Sequence, residues 1–222
     1  MRDPIGLRFV IAVGLLGAVP PARAGTVNGR VELLQKGGRP VGDRSDVVVY
    51  LDGVKARPRP ARATVVMKGK SFNPHLVVVP VGSTIEFPND DPILHNAFSL
   101  SGENRFDLNL YKRPKSGSWT FQAPGLVRVY CNIHPQMSAL VLVRDNPFFT
   151  RAAADGAFTL EDVPPGRYTL KAWHERAGEV AQPVTVPVEG DVRAELVLDS
   201  STYKRASHTR KDGSAYPSGE KY

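Results

Sequence analysis

Between positions 26 and 199 the chain is a succession of short apolar runs separated by glycine, proline and asparagine, and no long stretch keeps a helical period. Residues 29–33 (GRVEL) and 47–51 (VVVYL) read as two strands, with a turn at Gly37-Gly38 between them. Eight further strands are predicted near 63–68, 75–80, 83–87, 94–100, 106–110, 118–122, 126–131 and 138–143, the number a Greek-key sandwich or barrel needs. Pro124-Gly125 supplies the turn into the 126–131 strand, and Trp119 and Phe121 alternate with polar neighbours, so both are expected to pack a sheet face. Asp155-Gly156-Ala157-Phe158-Thr159-Leu160, then Val163-Pro164-Pro165-Gly166-Arg167-Tyr168-Thr169-Leu170, gives strand, turn, strand. The expected fold class is therefore all-β.

Composition changes this picture at three places. Residues 55–62 carry Lys55, Arg57, Arg59 and Arg62 with two prolines and read as a linker; no reader motif or interleaved aromatics accompany the charge, so nucleic acid is not an expected partner. The tail 201–222 is polar and basic and reads as disordered. Residues 1–24 have the form of a cleavable secretory leader: Arg2 and Arg8, an apolar run from Phe9 to Val19, and Ala22-Arg23-Ala24 as the cleavage signature. That run is too short to span a bilayer, which takes about 20 residues, and no later stretch could do so. A chain exported to a bacterial periplasm, starting at Gly25 and without a membrane span, is the expectation. The formal charge of +7, of which the leader accounts for two, favours acidic partners and says nothing of the fold.

The chemistry is concentrated in Cys131-Asn132-Ile133-His134-Pro135-Gln136-Met137. It contains the single cysteine of the chain and one of five histidines, and Met137 is one of two methionines outside the leader. Strand-like runs lead in at 126–130 and out at 139–143, so C-x2-H-x2-M sits on a tight loop that can point a thiolate, an imidazole and a thioether at one spot. With a second imidazole this is the donor set of a trigonal blue-copper site; zinc more often takes Cys and His without methionine. His95, just past the turn in Phe87-Pro88-Asn89-Asp90-Asp91-Pro92-Ile93-Leu94-His95-Asn96, is the nominee for the second imidazole. His174, beside Glu175, together with His75 and His208, is read as surface or interface.

Three stretches, Phe72-Asn73-Pro74 with Val81-Gly82, Asn89 to His95-Asn96, and the Cys131–Met137 loop, resemble the cupredoxins of the plastocyanin and amicyanin type over residues 62–144. The resemblance implies a Greek-key cupredoxin sandwich with His95, Cys131, His134 and Met137 holding one copper ion that cycles between Cu(I) and Cu(II). It also implies that Asn96 locks the ligand loop, and that electrons pass through the exposed edge of His134 beside Ile133, Pro135 and Pro92. Ile133 departs from the family's pattern, which has proline before the loop histidine, so its N–H is a second candidate donor, with that of Asn96, to the Cys131 sulfur.

The D-G-x-F-x-L and P-P-G-x-Y-x-L stretches, with Gly29-Arg30-Val31 and Gly38-Arg39-Pro40-Val41, resemble a second, small transthyretin-like β-sandwich of the carboxypeptidase-regulatory type. On that basis 25–56 and 146–200 form one discontinuous module into which the 62–144 domain is inserted; two domains in tandem is the alternative. The expected function is single-electron carriage between redox proteins such as a cytochrome or a dehydrogenase, with copper storage or a surface scaffold as the alternative. Four protein ligands leave no open metal position and no H-x-H pair exists for a copper cluster, so the chain is expected not to be an enzyme.

Overall fold

A computed structural model of the chain describes residues 24–204 and 207–217. The leader, apart from Ala24, lies outside the described residues. Apart from one 3-10 turn at Gly102–Asn104, the regular structure is all β. The first three strands are β1 (Gly25–Gln35), β2 (Arg39–Pro40) and β3 (Val48–Asp52). Next come β4 (Arg62–Thr64), β5 (Val66–Met67), β6 (Phe72–Asn73), β7 (Leu76–Pro80), β8 (Thr84–Pro88) and β9 (His95–Ser99). They are followed by β10 (Phe106–Tyr111), β11 (Ser116–Thr120), β12 (Gly125–Tyr130) and β13 (Ser138–Arg144). The last five are β14 (Phe149–Arg151), β15 (Ala157–Val163), β16 (Gly166–His174), β17 (Gly178–Val186) and β18 (Val192–Asp199).

The strands from 62 to 144 pair among themselves. One sheet runs β10-β9-β12-β13-β7, a second β11-β8-β4, and β5 pairs with β6. The predicted 63–68 strand is divided because β4 runs parallel to β8 whereas β5 turns to pair antiparallel with β6. Phe87, Phe121 and Ile85 meet Val127, Val129, Val141 and Phe106 between these sheets. Strands on either side of this segment share two other sheets, β15-β1-β18 (with β2 on β1) and β14-β3-β16-β17. Val27, Val31, Val49, Leu51, Leu170 and Leu196 lie in the core between them. In β1, Gly29 lies against β18 so closely that a Cβ would stand 1.7 Å from the Ala194 carbonyl oxygen.

Two strands are buried on both faces, which is why each reads as an unbroken apolar run. In β13, Ala139, Val141 and Val143 face one core while Leu140 and Leu142 face away from it. In β3, Val49 and Leu51 face the other core while Val48 and Tyr50 point outward. The outward sets meet each other: Val48, Tyr50 and Trp173 pack on Leu76, Leu140 and Leu142. Arg144 rims this contact, its guanidinium 3.8 Å from the Tyr50 ring centroid and paired with Asp52.

Among the described residues of the tail, Tyr216, His208 and Lys211 bond or stack on residues 107–132. No helix among the described residues is long and apolar enough to cross a membrane.

Candidate metal centre

Strand period places Cys131. Val127 and Val129 of β12 face the core, and Cys131, two positions further, continues the same face and is fully buried. The chain then turns: Cys131 N–H donates to the Met137 carbonyl (3.2 Å) and Met137 N–H to the His134 carbonyl (3.1 Å). These bonds close the seven-residue loop so that Tyr130 and Ser138 pair across β12 and β13. Met137 is fully buried in the same cluster as Cys131.

His95 opens β9, opposite Tyr111 of β10, and is fully buried. Its Nδ1 lies 3.0 Å from Nδ1 of His134, and the Cys131 Sγ lies 3.6 Å from that same His134 atom. Ligand atoms of His95, Cys131 and His134 all fall within 4.8 Å of one another, and all three residues are buried. One ion can span such a spacing. A soft sulfur with two imidazoles is a donor set that suits copper, and Met137 is buried in the same core cluster as the sulfur.

Sequence reasoning missed Asp91. Its Oδ2 is 2.7 Å from Nε2 of His95, so Nε2 carries the proton and Nδ1 is left with its lone pair facing His134 and Cys131. Asp91 is itself held: Gly69 and Lys70 donate backbone N–H bonds to its two oxygens (2.9 and 3.0 Å) from consecutive residues in left-handed conformation. Burial acts to raise its carboxyl, but the Lys70 N–H, the His95 ring and the Gly69 N–H outweigh that and bring it down to about 2. The only sequence hint was a carboxylate four positions before a candidate ligand, which is too common a pattern to single out.

Asn96 ties the Cys131–Met137 loop to the sheet. Its Oδ1 accepts from Asn132 N–H (3.2 Å), and its Nδ2 donates to Asp107 Oδ1 (2.7 Å) and the Asn109 carbonyl (3.0 Å). Asn89 fixes the approach to His95 by donating to the carbonyls of Ile93 (3.0 Å) and Tyr111 (2.8 Å). Ile133 is half-buried and packs against the core cluster that holds Cys131. His134 is 7% exposed; Ile93 and Leu94, which precede His95 in the chain, and Leu110, paired with Asn96 in the sheet, are each more than a third exposed. The other histidines stand elsewhere: His75 pairs with Glu175 (2.9 Å), and His75, His174 and His208 all border one cavity.

No family model matches the sequence, and no curated protein matches it. Solved structures do. A copper-containing nitrite reductase from Thermus scotoductus SA-01 is 30% identical over 44% of this chain and 26% of its own, with a TM-score of 0.36. A purple cupredoxin from Nitrosopumilus maritimus is 23% identical over 37% of this chain and 99% of its own, with a TM-score of 0.33. An oxidized amicyanin variant is 25% identical over 37% of this chain and 81% of its own, with a TM-score of 0.35. The chain spans about a quarter of the length of the nitrite reductase. The expectation that the chain is not an enzyme is corrected here. One of the similar structures is by its own name a reductase. The same comparisons give no positive evidence of an enzymatic role.

Proposed function

We propose that this chain is an exported mononuclear type 1 copper protein that carries single electrons between redox partners. The observation that carries the reading is the buried convergence of His95, Cys131 and His134, whose ligand atoms lie within 4.8 Å of one another. Copper held there supplies one-electron chemistry between Cu(I) and Cu(II). The residues do the rest. Cys131 and Met137 offer the sulfur donors and His95 and His134 the imidazoles; Asp91 fixes the tautomer of His95; Asn96 holds the loop against the sheet. N–H groups of Ile133 and Asn96 directed at the Cys131 sulfur belong to the same proposal, as donors that would favour the reduced state.

The division of the chain is also a proposal. Residues 62–144 would be the copper domain, inserted into a transthyretin-like module of 25–56 and 146–200. The separate sheets and separate cores of the two sets of strands support it. The leader-like start supports export to a periplasm, and a cytochrome or a dehydrogenase is the class of partner a one-electron carrier meets.

The test is visible absorption, paramagnetic resonance and voltammetry of the copper-loaded protein. An intense blue band, a reversible couple and loss of the band in Cys131→Ser are expected, because a hydroxyl is a poor soft ligand. A band that survives Cys131→Ser overturns the ligand set. A protein that binds copper but cannot be cycled is a store rather than a carrier.

A further inference from the structure

The last strand, β18, ends at Asp199 in the sheet with β1 and β15, yet the chain that follows ends up on the metal loop. Ser200 is anchored to the Leu34 carbonyl through its N–H (2.8 Å) and its hydroxyl (2.7 Å). Tyr203, Lys204 and His208 then border a cavity of about 820 Å³ that Arg128, Tyr130 and His174 also line. Beyond it the tail makes four contacts, two on the Cys131 loop and two on residues beside it. The His208 ring stacks on that of Tyr130, the residue before Cys131, with centroids 3.9 Å apart and planes 13° apart. Lys211 N–H donates to Asn132 Oδ1 (3.0 Å). The Lys211 ammonium pairs with Asp107, the same carboxylate that accepts from Asn96 Nδ2. The Tyr216 hydroxyl donates to the backbone carbonyl of Cys131 itself (2.7 Å).

These contacts share one object. Tyr130, Cys131 and Asn132 are consecutive, and Asp107 reaches Asn132 through Asn96. The tail is itself shaped to make them, with a turn closed by Gly213 N–H to the Arg210 carbonyl (3.0 Å) and Arg210 N–H to the Ser214 carbonyl (2.9 Å). Tyr216 lies edge-on to His208, centroids 5.3 Å apart, so the two aromatic contacts brace each other.

We propose that residues 207–217 form a C-terminal strap in which Tyr216 and Lys211 are positioning residues for the Cys131 ligand loop. The proposal rests on the copper reading of that loop. The strap resists opening of the loop, and the Tyr216 hydroxyl draws electron density from the Cys131 carbonyl. Both effects reach the sulfur without touching it.

Two readouts on the full-length protein separate the strap from the metal assignment. The first needs no copper. Cys131 is the single thiol of the chain and is fully buried, so in the metal-free protein a disulfide reagent can reach it only when the loop opens. In Tyr216→Phe, which keeps the ring and loses the donor, labelling should be about two- to tenfold faster, the range the net contribution of one hydrogen bond corresponds to. Tyr216→Phe combined with Lys211→Ala should label faster still, and Lys211→Arg, which keeps the ion pair, should label at the parent rate. The second readout is the reduction potential of the copper-loaded protein, which should fall in Tyr216→Phe while the blue band remains.

Labelling and potential both unchanged in Tyr216→Phe overturn the strap. Faster labelling with an unchanged potential overturns the positioning role and reduces the contact to packing. A parent protein that gives no blue band with copper overturns the metal reading instead, and the labelling comparison then decides the strap alone.

Discussion

Asp91 lies outside the C-x2-H-x2-M spacing, yet it decides which nitrogen of His95 faces the site. A carboxylate behind a ligating imidazole raises the ligand's basicity and favours the more highly charged metal state. Asp91→Asn keeps the shape and removes the charge. The reduction potential is expected to rise, and copper affinity to fall by roughly 10- to 100-fold, measured by voltammetry and by competition with a chelator. Unchanged values of both would mean that Asp91 does not act through His95. Met137 poses a complementary question. It is buried in the cluster with Cys131, and Met137→Leu is close in volume, so the fold should hold. Losing a weak axial thioether disfavours Cu(II), so the potential should rise with copper retained. No change would remove Met137 from the ligand set.

Elements meet at a histidine that the metal site does not use. His75, just before β7, has Nδ1 3.0 Å from the Ser138 carbonyl and Nε2 2.9 Å from Glu175, just after β16. Both nitrogens face oxygen acceptors, an arrangement that only the imidazolium satisfies fully. The hydrogen bond to Glu175 raises the His75 pKa against the opposing effect of burial, and the bond to His75 lowers that of Glu175. For His75 the stabilisation is complete below its unfolded value of 6.5 and is lost as pH rises through the higher folded value. For Glu175 it is present above its unfolded 4.5 and lost as pH falls through the lower folded value. Stability from this pair is therefore greatest between those limits. The side chains are 44% and 31% exposed, so solvent screening keeps the pair to about 1 kcal/mol or less. Raising the pH from 6 to 9 should lower the thermal midpoint by about 2–4 °C at most relative to His75→Gln, whose own profile lacks that component. Equal pH profiles for the two proteins would show that the clamp contributes nothing.

At the scale of the whole molecule, the apolar contact of Val48, Tyr50 and Trp173 with Leu76, Leu140 and Leu142 joins two sets of sheets that otherwise have their own cores. Trp173 is its largest side chain and is 8% exposed. Trp173→Ala should cost about 3–5 kcal/mol, and calorimetry should then resolve two unfolding transitions against a single one expected for the parent. A single transition in the variant would mean that the two sets unfold together whatever joins them. Residues 62–144 expressed alone should fold and bind copper once Leu76, Leu140 and Leu142, uncovered by removal of the partner surface, are replaced by polar residues. Joining 25–56 to 146–200 through a short linker should give a folded β module; an unfolded product would favour two domains in tandem.

The amino-acid sequence by itself determined the all-β class, because period-2 runs and turn residues are local properties that each segment carries alone. It also determined that Cys131, His134 and Met137 share one loop, since seven contiguous residues between two strands cannot separate far. His95 was nameable from its motif, but its 3.0 Å approach to His134 depends on β9 lying beside β12, a pairing between segments more than 30 residues apart. Asp91 became visible only once Gly69 and Lys70 were folded against it. In β3 and β13, apolar runs announced burial but not the identity of what buries their second faces, because hydrophobicity has no direction. The tail shows the same limit from the opposite side. Low apolar content denies residues 207–217 a core of their own, and their order comes from partners at Tyr130, Cys131, Asn132 and Asp107 that no property of the tail's own sequence could reveal.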